Sequence, residues 1–285
     1  MVCIDRKTAL LYISLAVCSN SFAWSGEGFE KFSDIVYAEH VETNLEADVY
    51  VPSGEGPFPS VLMVHGGGWR FGSKLHMVGH ARNLAKNDFV VVNINYRLAP
   101  KHKFPAQIED CREAVCWMRR NAGDYKIDAD RIAGYGYSAG AHLVCLLGVT
   151  DSPKGKEKIS TRLQAVVGGG TPCDFQWVPE DAATLSYFLG GTRREKPEIY
   201  RDASPISFVT KDDPPVFFFH GTEDRLVPRG SVDRMIKLLE ETGVNAKLHE
   251  IPDKGHLTAF LDATSQEKAL TFLNQVLKNS GDSSR

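Results

Sequence analysis

The stretch IAGYGYSAGAHLV, residues 132–144, sets one serine, Ser138, among small residues in the pattern G-x-S-x-G. A serine hydroxyl attacks a carbonyl only when a base takes its proton and an acidic group orients that base. A lone match to the pattern is a weak sign, so its meaning depends on partners elsewhere. Two stretches supply them. HGTEDRLVP (220–228) carries Asp224, and PDKGHLTAF (252–260) carries His256, in the chain order Ser, Asp, His. The chemistry also needs N–H donors for the oxyanion formed by attack on a carbonyl. HGGGWRFGS, residues 65–73, provides consecutive glycines whose amides can approach a ligand closely.

Rival groups read as structural. His142 lies one helical turn after Ser138 and is expected to pack against its neighbours. His220 precedes a glycine, where it would satisfy backbone groups, and His249 lies inside a strand-like run. Among acids, Glu223 points elsewhere, Asp212 and Asp213 precede their strand, and Asp253 near His256 is the main rival to Asp224. His76 and His80 are spaced i, i+4 without a third ligand and read as surface or capping histidines, so no metal is expected.

These groups need a frame that brings them together. DIVYAEHV and TNLEADVYVP read as an opening antiparallel pair. Six further apolar runs suit buried strands: 60–65, 88–96, 131–137, 163–170, 215–220 and 245–251. Helical periods fill the intervals. Residues 105–122 place Ile108, Cys111, Val115 and Met118 on one face, with Pro105 in the first turn, and 231–242 and 265–279 repeat the period. Alternating strands and helices predict one doubly wound, mostly parallel α/β sheet. In such sheets reactive groups gather at the carboxyl ends of the strands. Ser138, Asp224, His256 and the glycine run each follow a predicted strand.

The chain has 285 residues, 42% hydrophobic and 24% charged, with a formal net charge of −3, so nothing points to nucleic acid or an anionic membrane as partner. Arg6 and Lys7 precede the run ALLYISLAV, and Ser21 and Ala23 stand at cleavage-like positions. Residues 1–23 therefore read as a secretory signal peptide, and the protein as secreted or periplasmic. The apolar run is too short to span a bilayer permanently. Lipidation at Cys18 is disfavoured, because Val17 stands where a small residue is usual. Cleavage after Ala23 would leave Cys111, Cys116, Cys145 and Cys173. Cys111 and Cys116 lie five apart on one helix, too far for a bridge, and Cys145 reads as core.

HGGGW, NYRLAPKHKFPAQIED, GYSAG, ASPISFVTKDDPPVFFFHGTEDRLVP and KGH together resemble the α/β-hydrolase esterases. The resemblance is to the hormone-sensitive-lipase-like carboxylesterases and to the carbohydrate-esterase group called BD-FAE, and it runs from about Phe32 to Leu277. It implies an α/β-hydrolase fold, a single domain with a short cap insertion at about 172–211. By this resemblance Ser138, Asp224 and His256 form a triad. Gly67, Gly68 and Ala139 supply oxyanion N–H groups, and His65 braces the glycine loop. Tyr137 stands where the lipase-like branch has Asp, and there is no room for that branch's N-terminal cap between Ala23 and Phe32, so the carbohydrate-esterase side fits better.

The expected activity is hydrolysis of carboxylic esters without a cofactor, on a small-molecule or carbohydrate ester. An amide hydrolase such as an arylformamidase or dipeptidyl-type peptidase would use the same groups, and a non-catalytic binding module would be expected to have lost the serine or histidine. The insertion, with Phe175, Trp177, Tyr187, Phe188 and Leu189, suits a partial cover and short acyl groups.

Overall fold

The computed structural model describes residues 28–151 and 158–278. The leader read over residues 1–23 lies outside them.

The opening pair forms as expected: β1 (Phe29–His40) runs antiparallel to β2 (Thr43–Pro52), and β2 antiparallel to β4 (Val90–Ile94). From there the sheet is parallel through β3 (Phe58–Val64), β5 (Ile127–Tyr137), β6 (Ala165–Gly169), β7 (Val216–Gly221) and β8 (Ala246–Ile251). The order is β1-β2-β4-β3-β5-β6-β7-β8. Successive side chains of a strand point to opposite faces, and both faces here are covered. Leu62, Val64 and Phe218 enter one core with α2 (Ala106–Arg120), α3 (Ala139–Val149) and α6 (Gly230–Thr242). Val61, Met63, Phe217 and Phe219 enter the other with α1 (Val78–Ala85) and α8 (Ala263–Leu277). That is why these strands read as unbroken apolar runs. Full burial of each such side chain contributes about 1.5–3 kcal/mol.

The predicted helical face Ile108, Cys111, Val115, Met118 is buried, while Pro105 stands one position outside α2, whose first residue is Ala106. Every residue of α3 is buried, consistent with a helix that is apolar all round. Between β6 and β7 the chain makes only short elements: α4 (Ser186–Leu189), α5 (Pro197–Asp202) and a 3₁₀ turn at Pro205–Phe208. α7 (His256–Phe260) follows β8. Cys111, Cys116, Cys145 and Cys173 are all buried. Among the described residues no helix is long and apolar enough to cross a membrane.

One expectation fails in part. His80 is not a surface residue: it is buried, its ring stacked on Phe260 at 4.7 Å and tilted against Tyr135, and it hydrogen-bonds the backbone of Phe260, the last residue of α7. His76 is exposed, as expected. Burial pushes His65, His80 and His142 down to about 4. In the unfolded chain these rings titrate near 6.5, so between about pH 6.5 and 4 the unfolded state binds more protons than the folded one. Their contribution to stability is complete above about pH 6.5 and is lost as pH falls towards 4. The urea midpoint is therefore expected to fall steadily over that window. A midpoint constant from pH 7 to 4.5 would show that these rings do not stay neutral in the fold.

Candidate active site

The candidate groups lie along the carboxyl edge of the sheet. Ser138 joins β5 to α3 with φ 54° and ψ −118°, a conformation that L-residues adopt only where the surroundings hold them. Two glycines allow the turn. A Cβ on Gly136 would lie 2.3 Å from the Gly140 carbonyl carbon, and one on Gly140 would lie 2.1 Å from the Val64 carbonyl oxygen. The Ser138 N–H donates to the Gly169 carbonyl (2.7 Å), tying the turn to β6.

Asp224 lies just beyond β7, and its carboxylate is 1% exposed. Oδ1 accepts the backbone N–H groups of Leu226 (3.0 Å) and Val227 (2.9 Å), and Oδ2 accepts Nδ1–H of His256 at 2.6 Å. With Nδ1 donating, the unprotonated Nε2 is the ring's free basic atom. Asp253, the sequence rival, is exposed in the turn after β8, where its N–H donates to Thr222 Oγ1 at 2.9 Å. His220 donates from Nε2 to the Val227 carbonyl (2.9 Å), the backbone role expected of it. His249 lies partly exposed in β8 beside Lys268.

The glycine run follows β3. Gly67 (φ 118°) and Gly68 (φ 60°) have backbone angles that favour glycine, and the Gly67 carbonyl accepts the amides of Arg70 and Phe71 (3.1 and 2.9 Å). Among the described residues the N–H groups of Gly67 and Gly68 have no protein acceptor. The Ala139 N–H, in the first turn of α3, has no intrahelical one. His65 donates from Nδ1 to the Gly66 carbonyl (2.7 Å) and stacks on Tyr96 at 4.3 Å.

In the sequence Tyr137 marks only a departure from a related branch. Its hydroxyl donates to the backbone carbonyl of His256, and its ring lies 5.2 Å from the imidazole. Burial, with Asp224 nearby, pushes the phenol far above its ordinary value, so it remains a donor. A tyrosine just before a candidate nucleophile was legible. Its partner 119 residues away was not.

Ser138, His256, Gly67 and Gly68 line one cavity of about 920 Å³, walled mainly by apolar side chains such as Met77, Phe175, Leu185 and Phe260. The 172–211 segment forms one wall. Phe175, Phe188 and Leu189 are buried, whereas Trp177 is 70% exposed. One His–carboxylate group among the described residues has ligand atoms close enough for a cation: His40, Asp110 and Glu113. Arg97 already engages Asp110, donating from Nε at 2.8 and 3.0 Å.

The family model BD-FAE matches residues 47–239. This chain belongs to the BD-FAE family. Among curated relatives, Esterase LipC of Mycobacterium tuberculosis (strain ATCC 25618 / H37Rv) is 34% identical over 242 residues, covering 77% of this chain and 59% of LipC. The chain spans between 54% and 59% of the length of three such mycobacterial relatives. Among solved structures, a truncated carbohydrate esterase from gut microbiota superposes with a TM-score of 0.80 at 25% identity, over 90% of this chain and 99% of that one. An esterase of Thermogutta terrifontis shares the fold, with a TM-score of 0.75 at 21% identity over 87% of this chain and 92% of that one. The α/β-hydrolase fold read from this BD-FAE sequence is thus the fold it has.

The crowded turn is directly testable with two glycines of opposite setting. Gly140→Ala forces a Cβ against the backbone and should lower stability by about 3 kcal/mol or more. Gly79, inside α1, has open space around it, and Gly79→Ala should raise stability by about 0.5–1 kcal/mol. Urea titration of both checks this. A Gly140→Ala protein as stable as wild type would mean that α3 does not press on β3.

Proposed function

We propose that the protein is a serine hydrolase of carboxylic esters. The observation that carries this reading is the His256–Asp224 hydrogen bond of 2.6 Å, which leaves Nε2 as the free base of a cavity that Ser138 also lines. Ser138 Oγ attacks the acyl carbonyl carbon while its proton passes to His256 Nε2. The oxyanion is stabilised by the amides of Gly67, Gly68 and Ala139. Collapse breaks the bond to the alcohol oxygen, which takes the proton from His256. Water then attacks the acyl-enzyme with His256 again as base, releasing the acid and restoring Ser138. Asp224 holds the ring's orientation and stabilises the imidazolium.

The substrate part of the reading is a short acyl group, acetyl to butyryl, on a bulky alcohol such as a sugar. Support comes from the size of the cavity, of which an acetyl group fills a small part, and from the partial cover made by residues 172–211. The resemblance to a carbohydrate esterase points the same way. Export to the periplasm or medium belongs to the same reading, and rests on the layout of residues 1–23. An amino terminus at Trp24 in the mature protein would bear it out.

Ser138→Ala should lower kcat by about 10⁴–10⁶ with an unchanged melting profile. A folded variant keeping a tenth of wild-type activity would mean the nucleophile is misassigned. Acetylated sugars, aryl esters and N-formyl substrates, assayed side by side, test the bond class. Turnover of N-formyl substrates alone would replace the ester reading with an amide one.

Nitrophenyl esters of increasing length test the acyl side. Full burial supplies about 0.8 kcal/mol per methylene, and a partial cover should realise little of it beyond butyryl. A kcat/KM maximum at octanoyl or longer would overturn the short-acyl reading.

A further inference from the structure

Beneath the glycine loop lies a histidine that this hydrolytic scheme leaves idle. His142 stands four residues after Ser138 on α3 and is wholly buried. Both ring nitrogens are engaged. Trp69 Nε1 lies 3.1 Å from Nδ1, and Nε2 lies 2.7 Å from the Ala203 carbonyl oxygen. An indole N–H only donates and a carbonyl only accepts. Nδ1 therefore accepts, Nε2 carries the proton, and the partners themselves fix the tautomer. Burial, which holds this ring's pKa at about 4, keeps that arrangement intact at neutral pH.

The partners come from separate parts of the molecule. Trp69 closes the glycine run, with φ 57°, and its carbonyl accepts the Ala99 amide at 2.8 Å. Its indole stacks on Phe188, with centroids 4.2 Å apart and planes 6° from parallel, and meets Phe175 edge-on. Phe175, Phe188 and Ala203 all belong to the segment that walls the cavity. Tyr187, from the same segment, donates its hydroxyl to the Gly68 carbonyl at 2.8 Å. A leucine could fill the space of His142, but it would leave the Trp69 N–H and the Ala203 carbonyl buried without these partners.

We propose that His142 is a positioning residue: through Trp69 it fixes the Gly67–Gly68 turn to the helix that carries Ser138 and Ala139, and through Ala203 it ties both to the covering segment. This rests on the reading of those three amides as oxyanion donors. Two sets of donors, one on a loop and one on a helix, must converge on a single oxygen. A rigid ring of fixed width between loop and helix sets that spacing before substrate arrives. Preplaced donors matter most when charge develops in the transition state, and small misplacements are costly there. The covering segment and the glycine loop consequently move as one body.

The test uses His142→Leu, His142→Gln and Trp69→Phe in the full chain, with p-nitrophenyl acetate as substrate and melting profiles to confirm folding. His142→Leu and Trp69→Phe should lower kcat about 10- to 100-fold with KM within about twofold of wild type. His142→Gln, whose amide offers both an acceptor and a donor, should restore most of kcat. An aryl trifluoromethyl ketone, which adds to the serine as an oxyanion mimic, should lose affinity by a similar factor in His142→Leu.

Folded variants with kcat within twofold of wild type, or with losses confined to KM, would overturn the proposal. Should His142→Leu fail to fold, Trp69→Phe decides, since it removes the indole N–H while keeping an aromatic ring beside Phe188, and its melting profile reports the loss of the second ring. Failure of the hydrolase reading looks different: wild type itself would neither turn over the ester nor bind the ketone, and the proposal would fall with it.

Discussion

Ser138 can sit at φ 54° only because the chain on either side of it is pressed against a neighbouring strand. The first turn of α3 touches the end of β3 so closely that Gly140 has no room for a methyl group beside the Val64 carbonyl. Gly66 faces the Tyr137 carbonyl in the same crowded space, where a Cβ would come within 2.8 Å. The candidate nucleophile and the start of the glycine loop are therefore two sides of one contact. Each strand contributes a carboxyl end, and the absence of side chains lets the ends approach. Backbone strain of this kind costs on the order of 1–3 kcal/mol and persists only where packing over-determines it. The fully buried α3 and the β3–β5 pairing supply that packing.

The electrostatic half of the site is built by a different device. A carboxylate taken out of water loses several kcal/mol of solvation unless its oxygens are paired. Asp224 meets two amides on one oxygen and an imidazole on the other, so its charge is held in a fixed direction within a buried setting. Tyr137 bridges the two halves. It belongs to the strained turn, yet its hydroxyl anchors the backbone of His256, which lies so close to Gly170 that a Cβ there would come within 2.9 Å of the ring. A shift of the turn is thereby felt at His256 as well as at Ser138.

Much of this was legible from residue order. The parallel strands announced themselves because both faces are buried, leaving runs such as FFFH with no polar alternation. Ser138, Asp224 and His256 could be placed because each follows such a run. Features that arise from distant approach were not legible. α1 was not legible because its inward residues are His80, Ala81, Leu84 and Ala85, a weak apolar signal that begins on a titratable ring next to Gly79. The burial of His80 depends on Phe260, far along the chain. Lys74 is buried beside Asp34 and Asp48, a cluster that no local pattern encodes. Within residues 172–211 no period distinguishes the exposed Trp177 from the buried Phe188, since irregular chain takes its inside and outside from what it lies against.

The proposed hydrolysis depends on one atom, the Ser138 oxygen, being both nucleophilic and open to the cavity. Reaction with an organophosphonate fluoride, followed by mass mapping of the digested protein, examines that atom directly. One phosphonyl group per chain is expected, carried on Ser138, with esterase activity lost in proportion to labelling and no labelling of acid-unfolded protein. Labelling spread over several residues, or complete labelling elsewhere with Ser138 unmodified, would contradict it.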